Sequence, residues 1–94
     1  MIKVIVKDNE IKISGHAKFD EYGKDIVCAS VSSIIYTTIN GILNINEKAI
    51  KVTDDGVISI EILCNDYVTN KLINNMINLL KELEEQDPKN LKIK

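Results

Sequence analysis

Residues 2–7 alternate apolar and polar side chains, with Ile2, Val4 and Val6 on one side, and read as a strand. After the turn pair Asp8-Asn9 the alternation resumes over 10–15. There Ile11 and Ile13 face one way and Lys12 and Ser14 the other, so the two segments predict a hairpin. The period then changes. From 25 to 43, Val27, Val31, Ile34, Ile35, Thr38 and Ile42 recur at three- and four-residue steps, which is the spacing of one face of an α-helix. Ala29, Ser30, Ser32 and Ser33 are small and let that helix lie close to a sheet or another helix. A third strand is expected over 47–53, and Asp54-Asp55-Gly56 has the composition of a hairpin turn leading into a fourth over 57–63. Asn65 or Asp66 is a natural N-cap for a second helix over 67–86. Val68, Leu72, Met76, Leu79, Leu80 and Leu83 form its expected core stripe, and Pro88 bars its continuation. Leu91-Lys92-Ile93-Lys94 offers a short last strand.

The order ββαββα, with a final β, predicts an α+β fold: an antiparallel sheet with two helices covering its apolar face. A chain of 94 residues supports one domain over 1–94. A domain this small buries only roughly 60–70% of its unfolded surface, so self-association is expected to help it. At 45% hydrophobic and 28% charged residues the chain has the composition of a folded globular protein, which excludes disorder.

Charge narrows the partners. The net charge is −2, all 12 basic residues are Lys, and aromatics are only 4%. Without Arg there is no bidentate reading of phosphate or guanine, and few rings are present to stack on bases, so no nucleic-acid partner is expected. The locally basic Lys89–Lys94 reads as a solubilising tail. Lys, Asn or Asp breaks every apolar run before about 18 residues, so no membrane span is expected. The N-terminal segment is too short and charged for a signal peptide, and the cytoplasm is the expected compartment. Cys28 and Cys64 stand far apart with no CxxC, which suits reduced thiols.

The chemistry rests on few groups. The single histidine, His16, follows the end of the second strand in Ser14-Gly15-His16-Ala17. Read alone it is a surface or half-buried imidazole without a task. Cys28 falls near the start of the first helix, and read alone it is a small buried hydrophobe, as is Cys64. Two features favour chemistry at Cys28. A helix start carries partial positive charge that stabilises thiolate, and with Asp25 as N-cap Cys28 takes the third helical position. His16 leaves its strand only 12 positions earlier, near enough for imidazole to reach thiol. Asp25 and Ser32 fall on the Cys28 side of the helix. Asp25 can cap the helix or orient the imidazole, though its charge opposes thiolate. Ser32 can bond the sulfur or a substrate oxygen, or simply bond back one turn. No metal cluster, phosphate loop or carboxylate pair is present, and no cofactor is expected.

The blocks Ser14-Gly15-His16-Ala17 and Gly23-Lys24-Asp25-Ile26-Val27-Cys28-Ala29-Ser30-Val31-Ser32 together resemble the paired signatures of the ribosomal-processing cysteine proteases, the Prp or YsxB-like family. Those signatures read G-H-A and G-x-D-[IV]-[VL]-C-A-[AG]-[VIL]-S. Ser30 stands where the family has Ala or Gly. The resemblance covers length, element order and both motif positions. It implies a homodimer of small α+β subunits with Cys28 as nucleophile and His16 as general base, and it maps the family's supporting Asp and Ser onto Asp25 and Ser32. It implies an endopeptidase that removes the N-terminal extension of a large-subunit ribosomal protein after a Phe-Phe-like pair, for ribosome assembly. The segment 17–24, with Phe19, Tyr22 and Gly23, is then expected as a lid over the substrate. Two other readings stand beside this one. One is a non-catalytic, ribosome-associated dimeric binding module. The other is a redox thiol protein, which requires Cys64 as resolving partner.

Overall fold

The computed structural model describes residues 1–15 and 24–94, with residues 24 and 25 described by their backbone alone. The first hairpin forms as the alternation predicts, from β1 (Ile2–Val6) and β2 (Glu10–Ser14), with Val4 opposite Ile13 and Val6 opposite Ile11. Helix α1 (Lys24–Ile45) is followed by β3 (Ile50–Asp54), β4 (Val57–Ile62), helix α2 (Tyr67–Gln86) and β5 (Leu91–Ile93). Gly56, at φ +102°, supplies the positive φ that the β3–β4 turn needs.

The five strands form one sheet in the order β3-β4-β2-β1-β5. Three neighbouring pairs are antiparallel, as expected, and β5 adds a parallel pairing with β1. Pairing carries the inward residues into line across the strands: Ile13 lies opposite Ile58, Ile11 opposite Ile60, and Ile2 opposite Leu91. That face packs against Val27, Val31, Ile35, Ile39 and Ile42 of α1 and Ile73, Met76 and Leu80 of α2 in one core. Each fully buried side chain of this size stabilises by roughly 1.5–3 kcal/mol. The opposite face is polar, with Lys12, Glu10 and Ser59 side by side: Ser59 donates to Glu10 at 3.0 Å, and Lys12 lies 3.9 Å from the same carboxylate. The molecule is thus a two-layer α+β sandwich with one wet sheet face.

Four details differ from the sequence-based expectation. The third strand starts at Ile50 rather than 47, because Asn46 builds a turn: its side chain accepts from Lys48 N–H at 3.0 Å and its carbonyl from Ala49 N–H at 3.1 Å. In α2, Val68 and Leu79 are 43% and 40% exposed, and the buried stripe runs through Thr69, Ile73, Met76 and Leu80 instead. Thr69 turns inward because Asp66, the N-cap, accepts both its N–H at 2.8 Å and its hydroxyl at 3.0 Å. Helix α1 begins at Lys24, so Asp25 lies inside its first turn rather than at the cap. Finally, residues 26–45 carry no charged side chain, so α1 is long and apolar enough by length and composition to cross a membrane, against the expectation. In this fold its apolar stripe is covered by the sheet and α2, the position of a core helix.

Candidate active site

The two signature blocks border one end of the sheet. Strand β2 stops at Ser14, which pairs with Lys3 on one side and with Val57 on the other. Gly15 then takes φ +80°, and a Cβ there would collide with the carbonyl oxygen of Met1. Only glycine lets the chain leave the strand so close to β1. His16 is the next residue and lies outside the described residues, as do Phe19, Tyr22 and Gly23.

Helix α1 begins at this same end. Its C-terminus leads through 46–49 into the start of β3, and farther back along the helix the Tyr36 hydroxyl donates to Asp54 Oδ2 at 2.8 Å, at the end of β3. The helix therefore runs back along β3, and its first turns project past Asp54 toward the β3–β4 turn. Val57, next to that turn, is the partner of Ser14. The end of β2 and the start of α1 thus share one end of the molecule.

Cys28 is the fifth residue of α1 and half-buried, packed against the core beside Val27 and Val31. Cys28 thus stands just past the first turn of α1, where a helix presents N–H groups that lack intrahelical acceptors. Side chains in a helix lean toward its N-terminus, so the sulfur is held toward the positive end of the dipole. Ser32, one turn on, is half-buried on the same side, and Ile26 beside Cys28 is 72% exposed. Ser32 was legible at the i+4 spacing from Cys28, and Tyr36, not singled out in the sequence, extends that row to i+8. The tie from Tyr36 to Asp54 was not legible, because it joins residues 18 apart across two elements. That hydrogen bond, followed by burial and the charge of Asp54, raises the Tyr36 pKa above its ordinary value.

Cys64 lies elsewhere. Its N–H bonds Ala49 O at 3.1 Å and its sulfur lies 3.5 Å from Lys48 O, next to the C-terminus of α1. From Cys28 to that end the helix rises about 25 Å, far beyond the roughly 7 Å that a disulfide spans between Cα atoms. The resolving-cysteine reading fails on this geometry. Among the described residues no cluster of three or more metal-ligating side chains occurs.

A family model described as cysteine protease Prp matches residues 1–92. The chain belongs to the Prp family of cysteine proteases. A "Ribosomal processing cysteine protease Prp" of Staphylococcus aureus is 27% identical over 93 residues, covering 93% of this chain and 86% of that protein. A protein of the same description from Mycoplasma genitalium is 53% identical over 36 residues, a stretch of 38% of this chain and 36% of the relative. Two crystal structures of the S. aureus Prp protease superpose closely. The complex with a substrate peptide has a TM-score of 0.86 at 25% identity and covers 99% of this chain and 95% of that one. The complex with a covalently linked product peptide has a TM-score of 0.81 at 26% identity, over 98% and 94%. The fold described above is therefore the Prp fold, and the enzyme class is that of a cysteine protease engaged in ribosomal processing.

Proposed function

We propose that residues 1–94 form a single catalytic domain in which Cys28 is the nucleophile and His16 its general base. The reading includes removal of the N-terminal extension of a large-subunit ribosomal protein after a Phe-Phe-like pair. It also includes action in the cytoplasm as a homodimer, with no nucleic acid or membrane required. The observation that carries it is the placement of Cys28: a half-buried thiol at the start of α1, on the end of the sheet where β2 releases the chain one residue before His16. The S. aureus relatives, which hold a substrate peptide in one crystal and a covalently linked product peptide in another, support a nucleophilic route.

The chemistry follows from the groups. His16 takes the Cys28 proton, and the sulfur forms a bond to the scissile carbonyl carbon. The carbonyl electrons collect as an oxyanion, for which the N–H groups of the first turn of α1 are the assigned donors. The C–N bond breaks as His16 returns its proton to the departing amine, leaving a thioester that water hydrolyses. Ser32 stands one turn from the sulfur, placed to donate to it or to a substrate oxygen. Asp25 is assigned the role of orienting the imidazole.

The test is a trapping experiment. A slowly hydrolysed ester of a Phe-Phe peptide, mixed with the protein and quenched, should add one acyl group by mass, and digestion should locate it on Cys28. An acyl group on Cys64, or none on a protein that still binds the peptide, returns the chain to the binding-module reading.

A further inference from the structure

The two edges of the sheet are finished differently. At the β5 edge, Ile2 N–H bonds Asn90 O at 2.9 Å, Lys94 N–H bonds Val4 O at 2.8 Å, and Val6 N–H bonds Lys94 O at 3.0 Å. Alternate residues bond to β1, so Leu91 and Ile93 turn their backbone groups outward. There the Glu84 carboxylate of α2 accepts the Ile93 N–H at 2.9 Å. A side chain thus closes that edge.

Strand β3 has no such cover among the described residues. Ala49 O accepts from Leu63 N–H at 2.8 Å, and with Ile50 paired to Ile62 this sets the phase of the ladder. Lys51 and Thr53 bond to β4, while Ile50, Val52 and Asp54 turn N–H and C=O away from it. The far side of β4 agrees, since Ile62 N–H points away from β3 to Asn9 O at 2.8 Å. No described residue bonds the outward backbone groups of Ile50 or Val52. Val52 is also half-buried on the helix side, so apolar surface remains beside the unpaired ladder.

This open edge is continuous with the Cys28 face of α1. Cys28, Ser32 and Tyr36 lie along one side of the helix, and Tyr36 is tied to Asp54, the last residue of β3. Eight helical residues rise about 12 Å. An extended chain covers that in about three to four residues at roughly 3.3 Å each.

We propose that the polypeptide substrate binds as an added strand on the outer edge of β3. Its backbone bonds Ile50 and Val52, and its alternate side chains rest on Val52 and the Tyr36 ring, beginning about three to four residues from the scissile bond. The proposal rests on the protease reading and adds how the substrate is held. Main-chain pairing supplies affinity that depends little on substrate side chains, which suits an extended terminal segment.

The test is a scan of peptide substrates, each carrying one backbone N-methyl group at a successive position on either side of the junction. Every second amide at the β3 edge should raise KM roughly three- to tenfold when methylated, the worth of one hydrogen bond, with kcat held and the intervening amides silent. Val52→Pro removes one outward donor at a site where an edge strand tolerates proline; it should raise KM for the parent peptide and abolish sensitivity at the matching position. Cleavage of all peptides with a flat KM overturns strand addition and leaves the protease reading standing. No cleavage of any peptide overturns the protease reading itself. A flat scan with a Val52→Pro enzyme that has lost dimerisation assigns the edge to a second copy of this chain and also overturns the proposal.

Discussion

Gly15→Ala is the substitution whose consequence is most fully determined by the backbone. The residue sits at φ +80°, where an L side chain is disfavoured by roughly 1–2 kcal/mol. The added Cβ would also meet the Met1 carbonyl oxygen, which is backbone and not a mobile side-chain tip. To make room, the start of β1 must shift, loosening the Ile2 N–H to Asn90 O bond of 2.9 Å. One hydrogen bond contributes about 0.5–1.5 kcal/mol, so the combined loss is about 2–3 kcal/mol. The measurement is urea unfolding of parent and variant, read as a shift in midpoint at constant slope. Gly41→Ala is the control: Gly41 lies in α1, and beyond the helix's own backbone and its chain neighbours no described atom lies within 4 Å of an added Cβ, so there alanine should stabilise by about 0.5–1 kcal/mol. A Gly15→Ala loss below about 0.5 kcal/mol would refute the claim that this glycine is required for the chain to leave β2 beside β1. Because the next residue is His16, the folded fraction of Gly15→Ala should also lose most of its peptidase activity.

Three further outcomes are expected. Asp66→Ala removes the α2 N-cap and leaves Thr69, 3% exposed, without its partner, so calorimetry should show about 1–2 kcal/mol less stability. Leu80→Ala empties a fully buried site between α2 and the sheet and should cost about 2–5 kcal/mol by denaturant titration, while the conservative Leu80→Met should cost less than about 1.5 kcal/mol. Tyr36 has its pKa raised above 10.0 by the bond to Asp54, so its contribution to stability is complete below that pH and is lost as pH rises through the higher folded-state value. Comparing Tyr36→Phe with the parent by denaturation, the difference should persist at neutral pH and shrink in strong alkali. A difference that grows with alkali would reverse the assignment.

Much of this was legible in the chain because local rules and the fold agree. Ile11 and Ile13 alternate as strand residues and are buried as such, Asp54-Asp55-Gly56 turns, and α2 spans the segment between its acidic cap and the residues before Pro88. What was not legible depends on distant pairing. Nothing local to Leu91-Lys92-Ile93 reveals that it pairs parallel to β1, since that partner lies at the other end of the sequence. Thr69 lies outside the stripe expected from the sequence, and its double bond to Asp66 is what makes its burial inexpensive. Val68 and Leu79 belong to the expected stripe by type and spacing, but they stand on a face that no described residue covers fully. At the site, the motif residues were readable as types and spacings. The open edge of β3 could appear only once strand order and ladder phase were known.

The measurement that bears most directly on the whole account is cleavage of an extended peptide carrying a Phe-Phe-Ala junction, followed by mass. It compares the parent protein with Cys28→Ala, His16→Ala and Cys64→Ala. A single cut after the Phe pair is expected from the parent and from Cys64→Ala, and none from the other two while both remain folded. Cleavage that survives Cys28→Ala, or that is lost with Cys64→Ala, would contradict it.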